Sequence, residues 1–226
     1  MVNRAELHRR FFLDERGGAR AGIRLSDDFF RLQERVQFSN FPQETEARWR
    51  LVETAWELGL SRAALTISFD EQTQMLVPSL IQRRRAVTSS RDALNGYQKG
   101  TCFYCSRIIS IVPGTPNLAE VDHFLPHALK PIHPKLPIDG IWNLVLSCDV
   151  CNGAKSARVP ELSFLERLYT RNEFLISSHH PLRETIILQT GPNEADRRDF
   201  LQHAYDMARA TMIHTWCPKE VERLLF

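Results

Sequence analysis

The sequence predicts a mostly helical α+β protein with a small metal-stapled module set into it. Four cysteines fall in two C-x2-C pairs, Cys102/Cys105 and Cys148/Cys151, and several long segments outside them repeat their apolar residues at helical spacing. A chain of 226 residues that is 43% hydrophobic can bury one substantial core, or a small module plus a companion.

Taken in order, the first forty residues are rich in Arg and Phe and are broken at Gly17-Gly18. Phe29, Phe30 and Leu32 predict a short helix there, docked on the body or on another protein. From Glu44 to Gly59, Trp49, Val52 and Trp56 share a broad apolar face with Leu51, Ala55 and Leu58, and Gly59 is a natural stop. Phe69 to Asn95 reads as one helix interrupted at Pro78, or as two, with Gly96 to Gly100 linking it to the first cysteine pair. Leu118 to Val121 is β-prone. Lys130 to Pro137 carries Pro131, Pro134 and Pro137 and predicts an ordered but irregular loop. Gly153 to Arg158 can start a short helix that Pro160 stops, and Glu161 to Phe174 and Glu194 to Met212 are helical. Ile186-Ile187-Leu188 reads as a strand, and His179-His180 before Pro181 as a turn. Three regions result: a helical one over 1–98 for partner or substrate binding, the stapled module over 99–162, and a mainly helical one over 163–226 that packs on it.

The cysteine spacing is the strongest local signal. Each C-x2-C turn aims two thiolates at one point, and two turns complete the tetrahedron that zinc prefers. A disulfide scheme is the weaker reading, with five cysteines and no apolar leader at Met1 to Arg4. Four thiolates leave no open position, so such a zinc is structural. Cys217 reads as a buried small hydrophobe. Between and after the pairs lie residues of another kind. A carboxylate at Asp122 and an amide oxygen at Asn152 suit a hard ion such as Mg2+ or Mn2+, and the neighbouring imidazole of His123 can take a proton from water. The plainer alternatives are a turn aspartate, a half-buried histidine and an Asn-Gly turn; the surrounding cysteines favour the functional reading.

The order Asp122-His123, then Trp142-Asn143-Leu144-Val145-Leu146, then Cys148-x2-Cys151-Asn152-x2-Lys155 resembles the HNH endonucleases of the ββα-metal (His-Me finger) class, in the zinc-stapled subgroup. The resemblance covers about Gly100 to Pro160 and implies an embedded ββα-metal nuclease module. In it His123 is the general base, Asp122 and Asn152 hold one divalent ion, and Asn143 orients the loop that carries the histidine. Asn152 stands where many members have histidine, an H-N-N variant. Small proteins of this kind look like the nuclease subunits of bacterial restriction and anti-phage defence systems, some of which act beside an ATPase or sensor subunit or as homo-oligomers. DNA is the implied substrate, with RNA or single-strand nicking as alternatives; a zinc-dependent binding or assembly module that no longer cleaves is the reading from another class.

Charge places limits on the footprint. Net charge is only +2, so nucleic acid must meet a local patch. Lys155 and Arg158, three apart, are the expected phosphate contacts, with His127 as a further substrate contact and His133 beside it as a loop residue near the site; Pro126 keeps His127 off any helix face shared with His123. Arg83, Arg84, Arg85, Arg91, Lys99 and Arg107, against Asp92 alone, form a second basic run, a solvated face or a phosphate or partner contact. No segment is long and apolar enough to span a membrane, no repeat appears, and a cytoplasmic location is expected.

Overall fold

A computed structural model describes residues 10–17, 21–34, 38–57, 67–78 and 88–219. About half of the described residues are helical and the strands form small sheets, so α and β are mixed. The chain falls into two compact units, Met1–Phe41 and Pro42–Phe226.

In the first unit, β1 (Phe12–Asp14) and β2 (Ile23–Leu25) pair antiparallel with Phe12 opposite Leu25. Arg16 folds back on Asp14 at 2.6 Å beside the turn. The short helix expected around Phe29 is α1 (Asp27–Phe30), continued by a 3-10 turn over Arg31–Glu34.

The second unit is built on α2 (Phe41–Glu57), which buries Ala47, Leu51 and Val52. Trp49, expected on that face, is exposed, and its indole N–H donates to Glu53 at 2.6 Å. The helix expected from Phe69 is instead a hairpin, β3 (Ile67–Asp70) and β4 (Met75–Pro78), extended by β5 (Thr88–Ser89) in the order β3-β4-β5. Two local features decide this. Ile67 and Phe69 are buried in alternation with Ser68 and Asp70, a period of two, and the Asp70 carboxylate accepts the Gln72 and Thr73 N–H groups at 3.1 Å, closing the turn. Arg83 to Arg85 of the basic run lie outside the described residues.

α3 (Ser90–Gln98) runs through Gly96, which the sequence had placed in a linker. A Cβ at Gly96 would meet the Arg48 guanidinium at 2.6 Å, so glycine lets α3 approach the Arg48–Glu44 ion pair of α2. The end of α3 is tied to the module by one side chain. The Gln98 amide accepts the Leu146 N–H at 2.7 Å and donates to the Leu146 carbonyl at 2.6 Å, occupying the strand edge as another strand would.

The module's hairpin joins β6 (Glu120–His123) to β7 (Leu144–Ser147), with Asp122 opposite Val145 and His123 opposite Leu144. The segment between them is irregular, as the prolines predicted. α4 (Asp149–Lys155) follows with Cys148 as its N-cap residue, starting earlier than Gly153. Beyond β8 (Val159–Pro160) come α5 (Ser163–Ser177), α6 (Arg183–Thr190) and α7 (Glu194–Thr211), the last capped by the Asn193 side chain, and then β9 (Thr215–Trp216), which pairs parallel with β8. Ile186 to Leu188 is therefore helical, not a strand: Ile186 is buried and Leu188 exposed, and a run of three apolar residues does not separate the two periods. Cys217 is exposed, not buried. Among the described residues no helix is long and apolar enough to cross a membrane.

Trp142, Phe103, Tyr104 and Phe124 fill the core beside β6 and β7, and α5 secures it. Arg171 on α5 donates to the carbonyls of Ile141 (3.2 Å), Trp142 (3.4 Å) and Leu144, and Asn172 to that of Trp142 at 3.2 Å. Close by, His180 is buried, accepts the Leu182 N–H at 3.2 Å, and is driven down to about 3 by burial and by Arg48 and Arg171. The unfolded imidazole titrates near 6.5, so below that pH the unfolded chain takes up a proton that the folded one refuses. Stability should therefore be full above pH 6.5 and fall as pH drops from there toward 3. Urea unfolding from pH 7.5 to 5 should show about this loss in wild type and a shallower one in His180→Gln; equal slopes would show that His180 is not buried neutral.

Candidate functional site

Two short backbone devices bring the four cysteines together. In the first, the Cys102 N–H donates to the Arg107 carbonyl at 2.8 Å and the Ser106 N–H to the Cys102 carbonyl at 3.1 Å, with Ser106 at φ 64, so the chain turns sharply around Cys102 and Cys105. In the second, Cys148 and Cys151 flank the first turn of α4. All four sulfurs are buried and lie within 4.8 Å of one another, with Cys105 and Cys148 at 3.8 Å. A disulfide requires about 2.05 Å, whereas bonds of about 2.3 Å to one tetrahedral ion space sulfurs by about 3.8 Å. The cluster can hold a metal ion such as zinc. The Cys102 thiol is drawn down to about 5 chiefly by its contact with the Cys151 sulfur, while the same contact pushes Cys151 up.

The strand and helix that follow meet through two polar rungs. Glu120 and Asp122 share one face of β6, because strand side chains alternate, and Asn152 and Lys155 share one face of α4, being three apart. The Asn152 amide donates to Glu120 at 2.7 Å. The Lys155 ammonium donates to Asp122 Oδ1 at 3.0 Å and to the His123 carbonyl at 2.7 Å, and the Tyr104 hydroxyl donates to Asp122 Oδ2 at 2.6 Å. Burial raises Asp122 above the usual carboxylate range, against the pull of Lys155 and Tyr104, and burial lowers Lys155. Lys155, expected at substrate phosphate, is 1% exposed and turned inward to these two partners.

The imidazole of His123 belongs to a different neighbourhood. It stands edge-on to Phe69 at 5.7 Å between ring centres, and its Nε2 lies 3.4 Å from Asp139 Oδ1. Burial lowers it to about 4 while Asp139 pulls the other way, so the ring is neutral near pH 7 and can accept a proton. His127 Nε2 lies 3.8 Å from the same Asp139 oxygen and 3.3 Å from Glu71. His123 and His127 join Asp122, Lys155 and Ser156 in the wall of one cleft of about 230 Å³. Asn143 is buried beneath: its Oδ1 accepts the Leu125 N–H at 2.8 Å, and its Nδ2 donates to the carbonyls of Leu125 (3.0 Å) and Ile138 (2.9 Å), pinning the loop after His123.

Not every expected residue converges here. His133 is bonded to Thr211 at 2.7 Å, and Arg158 lines another cleft, beside the cysteines, with Arg107 and Lys219. Arg91 of the basic run donates to the Ala119 carbonyl at 2.6 Å. Four residues of the site were not foreseen: Tyr104, Glu120, Glu71 and Asp139. Glu120 was readable, since it lies two before Asp122 on the same strand face; the others are brought in by tertiary contacts alone. Compared with protein-family models, with curated proteins and with solved structures, the chain matches none.

Two expectations follow from this geometry. Cys102→Ser and Cys148→Ser should each lower bound zinc by one equivalent and reduce Tm, while Cys217→Ser changes neither; elemental analysis and thermal scans check this. Lys155→Met leaves a buried carboxylate without its cation and should cost about 3–5 kcal/mol. A double-mutant cycle with Asp122→Asn should recover part of that cost; strict additivity would mean that the two groups are not coupled.

Proposed function

We propose that this chain is a metal-dependent HNH endonuclease that hydrolyses DNA phosphodiester bonds. The observation that carries the proposal is His123 itself: a buried, neutral imidazole at the end of a hairpin strand, opening on the same cleft as Asp122 beside a helix held by four thiols. The order of β6, pinned loop, β7 and α4 is what the ββα-metal resemblance implies for Asp122, His123, Asn143 and Asn152.

In this reading His123 accepts the proton of an attacking water, and Asn143 keeps the loop behind it from shifting. Asp122 and Asn152 carry oxygen donors of the kind Mg2+ or Mn2+ prefers, and Glu120 accepts the Asn152 amide N–H. Asp122 and Asn152 would hold that ion; each Asp122 oxygen already accepts one bond but retains a second lone pair. When bound, the divalent ion offsets charge on the scissile phosphate and the leaving oxygen. The four cysteines would hold zinc as a closed structural site, which fixes the start of α4 and with it Asn152. The resemblance also supports a place in bacterial restriction or anti-phage defence, in the cytoplasm and beside a sensor or ATPase subunit.

A second reading has its own observation. Lys155 and Tyr104 already bond both oxygens of Asp122, and Glu120 takes the amide of Asn152, as in a module that has kept its scaffold and lost cleavage. A plasmid-cleavage assay separates the two, with wild type and His123→Ala compared in EDTA, Mg2+ and Mn2+ and zinc measured on the same samples. The nuclease reading expects metal-dependent nicking by wild type, a loss of roughly 10²–10⁴-fold in His123→Ala, and equal zinc in both. Equal cleavage by both proteins would remove His123 from the chemistry, and zinc without cleavage in either would favour the silent module.

A further inference from the structure

The two nitrogens of the His123 ring have different surroundings. Nε2 is buried and faces Asp139 Oδ1 at 3.4 Å, and that oxygen is buried as well, with no hydrogen-bond partner. The 10% of the side chain that stays exposed lies on other atoms, where His123 lines the cleft with Asp122, Lys155 and Ser156. A neutral imidazole carries an N–H on one nitrogen and a lone pair on the other. A carboxylate oxygen repels the lone pair and attracts the N–H, so this contact selects the ring protonated on Nε2.

The carboxylate is held in place by its surroundings. Asp139 occupies a turn in which the Gly140 N–H donates to the Pro137 carbonyl at 2.9 Å, and the Trp142 indole N–H donates to the same carbonyl at 3.0 Å. A Cβ at Gly140 would meet the Trp142 ring at 2.6 Å, so glycine lets the indole cover the turn. Just before Asp139, the Ile138 carbonyl accepts Asn143 Nδ2 at 2.9 Å. Lys130 pairs with Oδ2, which leaves Oδ1 turned to the histidine. The Phe69 ring of β3 also stands edge-on to the imidazole at 5.7 Å.

We propose that Asp139 is the positioning residue of His123: it keeps the ring proton on Nε2 and so presents the lone pair of Nδ1 to water in the cleft. The consequence for cleavage rests on the nuclease reading, whereas the tautomer does not. At 3.4 Å and without an aligned N–H, the contact is longer than a formed hydrogen bond of about 2.7–3.2 Å. Contacts of this kind are often long in a free enzyme and tighten when substrate fills the site. His127 Nε2, 3.8 Å from the same oxygen, does not displace His123, because a carboxylate oxygen accepts two bonds and Glu71, at 3.3 Å, is the nearer partner of His127.

Nuclear magnetic resonance reads the tautomer without any cleavage assay. Two-bond 1H–15N spectra of the zinc-loaded full chain are compared for wild type and Asp139→Ala, with His123→Gln to assign the ring and circular dichroism to verify folding. The expected wild-type ring has a slowly exchanging proton on Nε2 and none on Nδ1. In Asp139→Ala the Nε2 signal should move and its proton exchange roughly tenfold faster, about what one bond to a charged group is worth. A wild-type ring protonated on Nδ1, or an Nε2 proton with the same shift and exchange in both proteins, overturns the proposal. In the plasmid assay Asp139→Ala should lower kcat at least about tenfold at unchanged KM, short of the roughly 10²–10⁴-fold loss in His123→Ala; full activity would also overturn it. A wild type that never cleaves counts against the nuclease reading alone, and the spectra then decide the role of Asp139.

Discussion

The ammonium of Lys155 is the contact on which the rest of the site depends. It is buried at the last turn of α4, where it bonds a side-chain oxygen of Asp122 and the main-chain oxygen of His123. One cation thus sets the distance between helix and strand, and the backbone from which His123 projects. Neither partner is comfortable alone, since burial disfavours the charge on each. Their mutual attraction and the Tyr104 hydroxyl offset that penalty.

The opposite end of α4 is governed by the cysteines. Cys148 and Cys151 bring its first turn beside the Cys102–Cys105 turn, and Lys155 holds its last turn against β6. A helix of only 7 residues has little stability of its own. Lys155 secures one end, as an ion in the cysteine cluster would the other, and the polar face presents Asn152 and Lys155 to Glu120 and Asp122. The surrounding core serves the same end: Gln98 completes the edge of β7 and Arg171 gathers the carbonyls where β7 begins, so the hairpin is gripped from both sides.

Much of this was legible in the sequence, and the reasons for the failures are physical. The cysteine pairs and the helices over Phe41–Glu57, Ser163–Ser177 and Glu194–Thr211 are periodic or spaced signals that local chemistry dictates. The hairpin at Ile67–Pro78 was missed because its alternating residues are few and its turn depends on Asp70, a residue with many other uses. Lys155 was read as a phosphate contact because a Lys on a short helix usually faces outward; the buried Asp122 carboxylate is what offsets the cost of its burial. Asp139 carries no pattern at all: it lies in an irregular loop, and its nearness to His123 exists only once Asn143 has folded that loop back.

The parallel pairing of β8 with β9 has a bearing on the order of events in the cell. It returns the chain after α7 to the module, where the Trp216 ring stands against Tyr104 at 5.1 Å, and Tyr104 in turn holds Asp122. Such a closure spans three helices, so its entropy is recovered only after they have docked. During synthesis the aromatic support beneath Asp122 therefore stays incomplete until α5, α6 and α7 have left the ribosome. A nascent chain that already displays all four cysteines and His123 would still lack the finished floor of the cleft, a built-in delay between making the ligands and making the site.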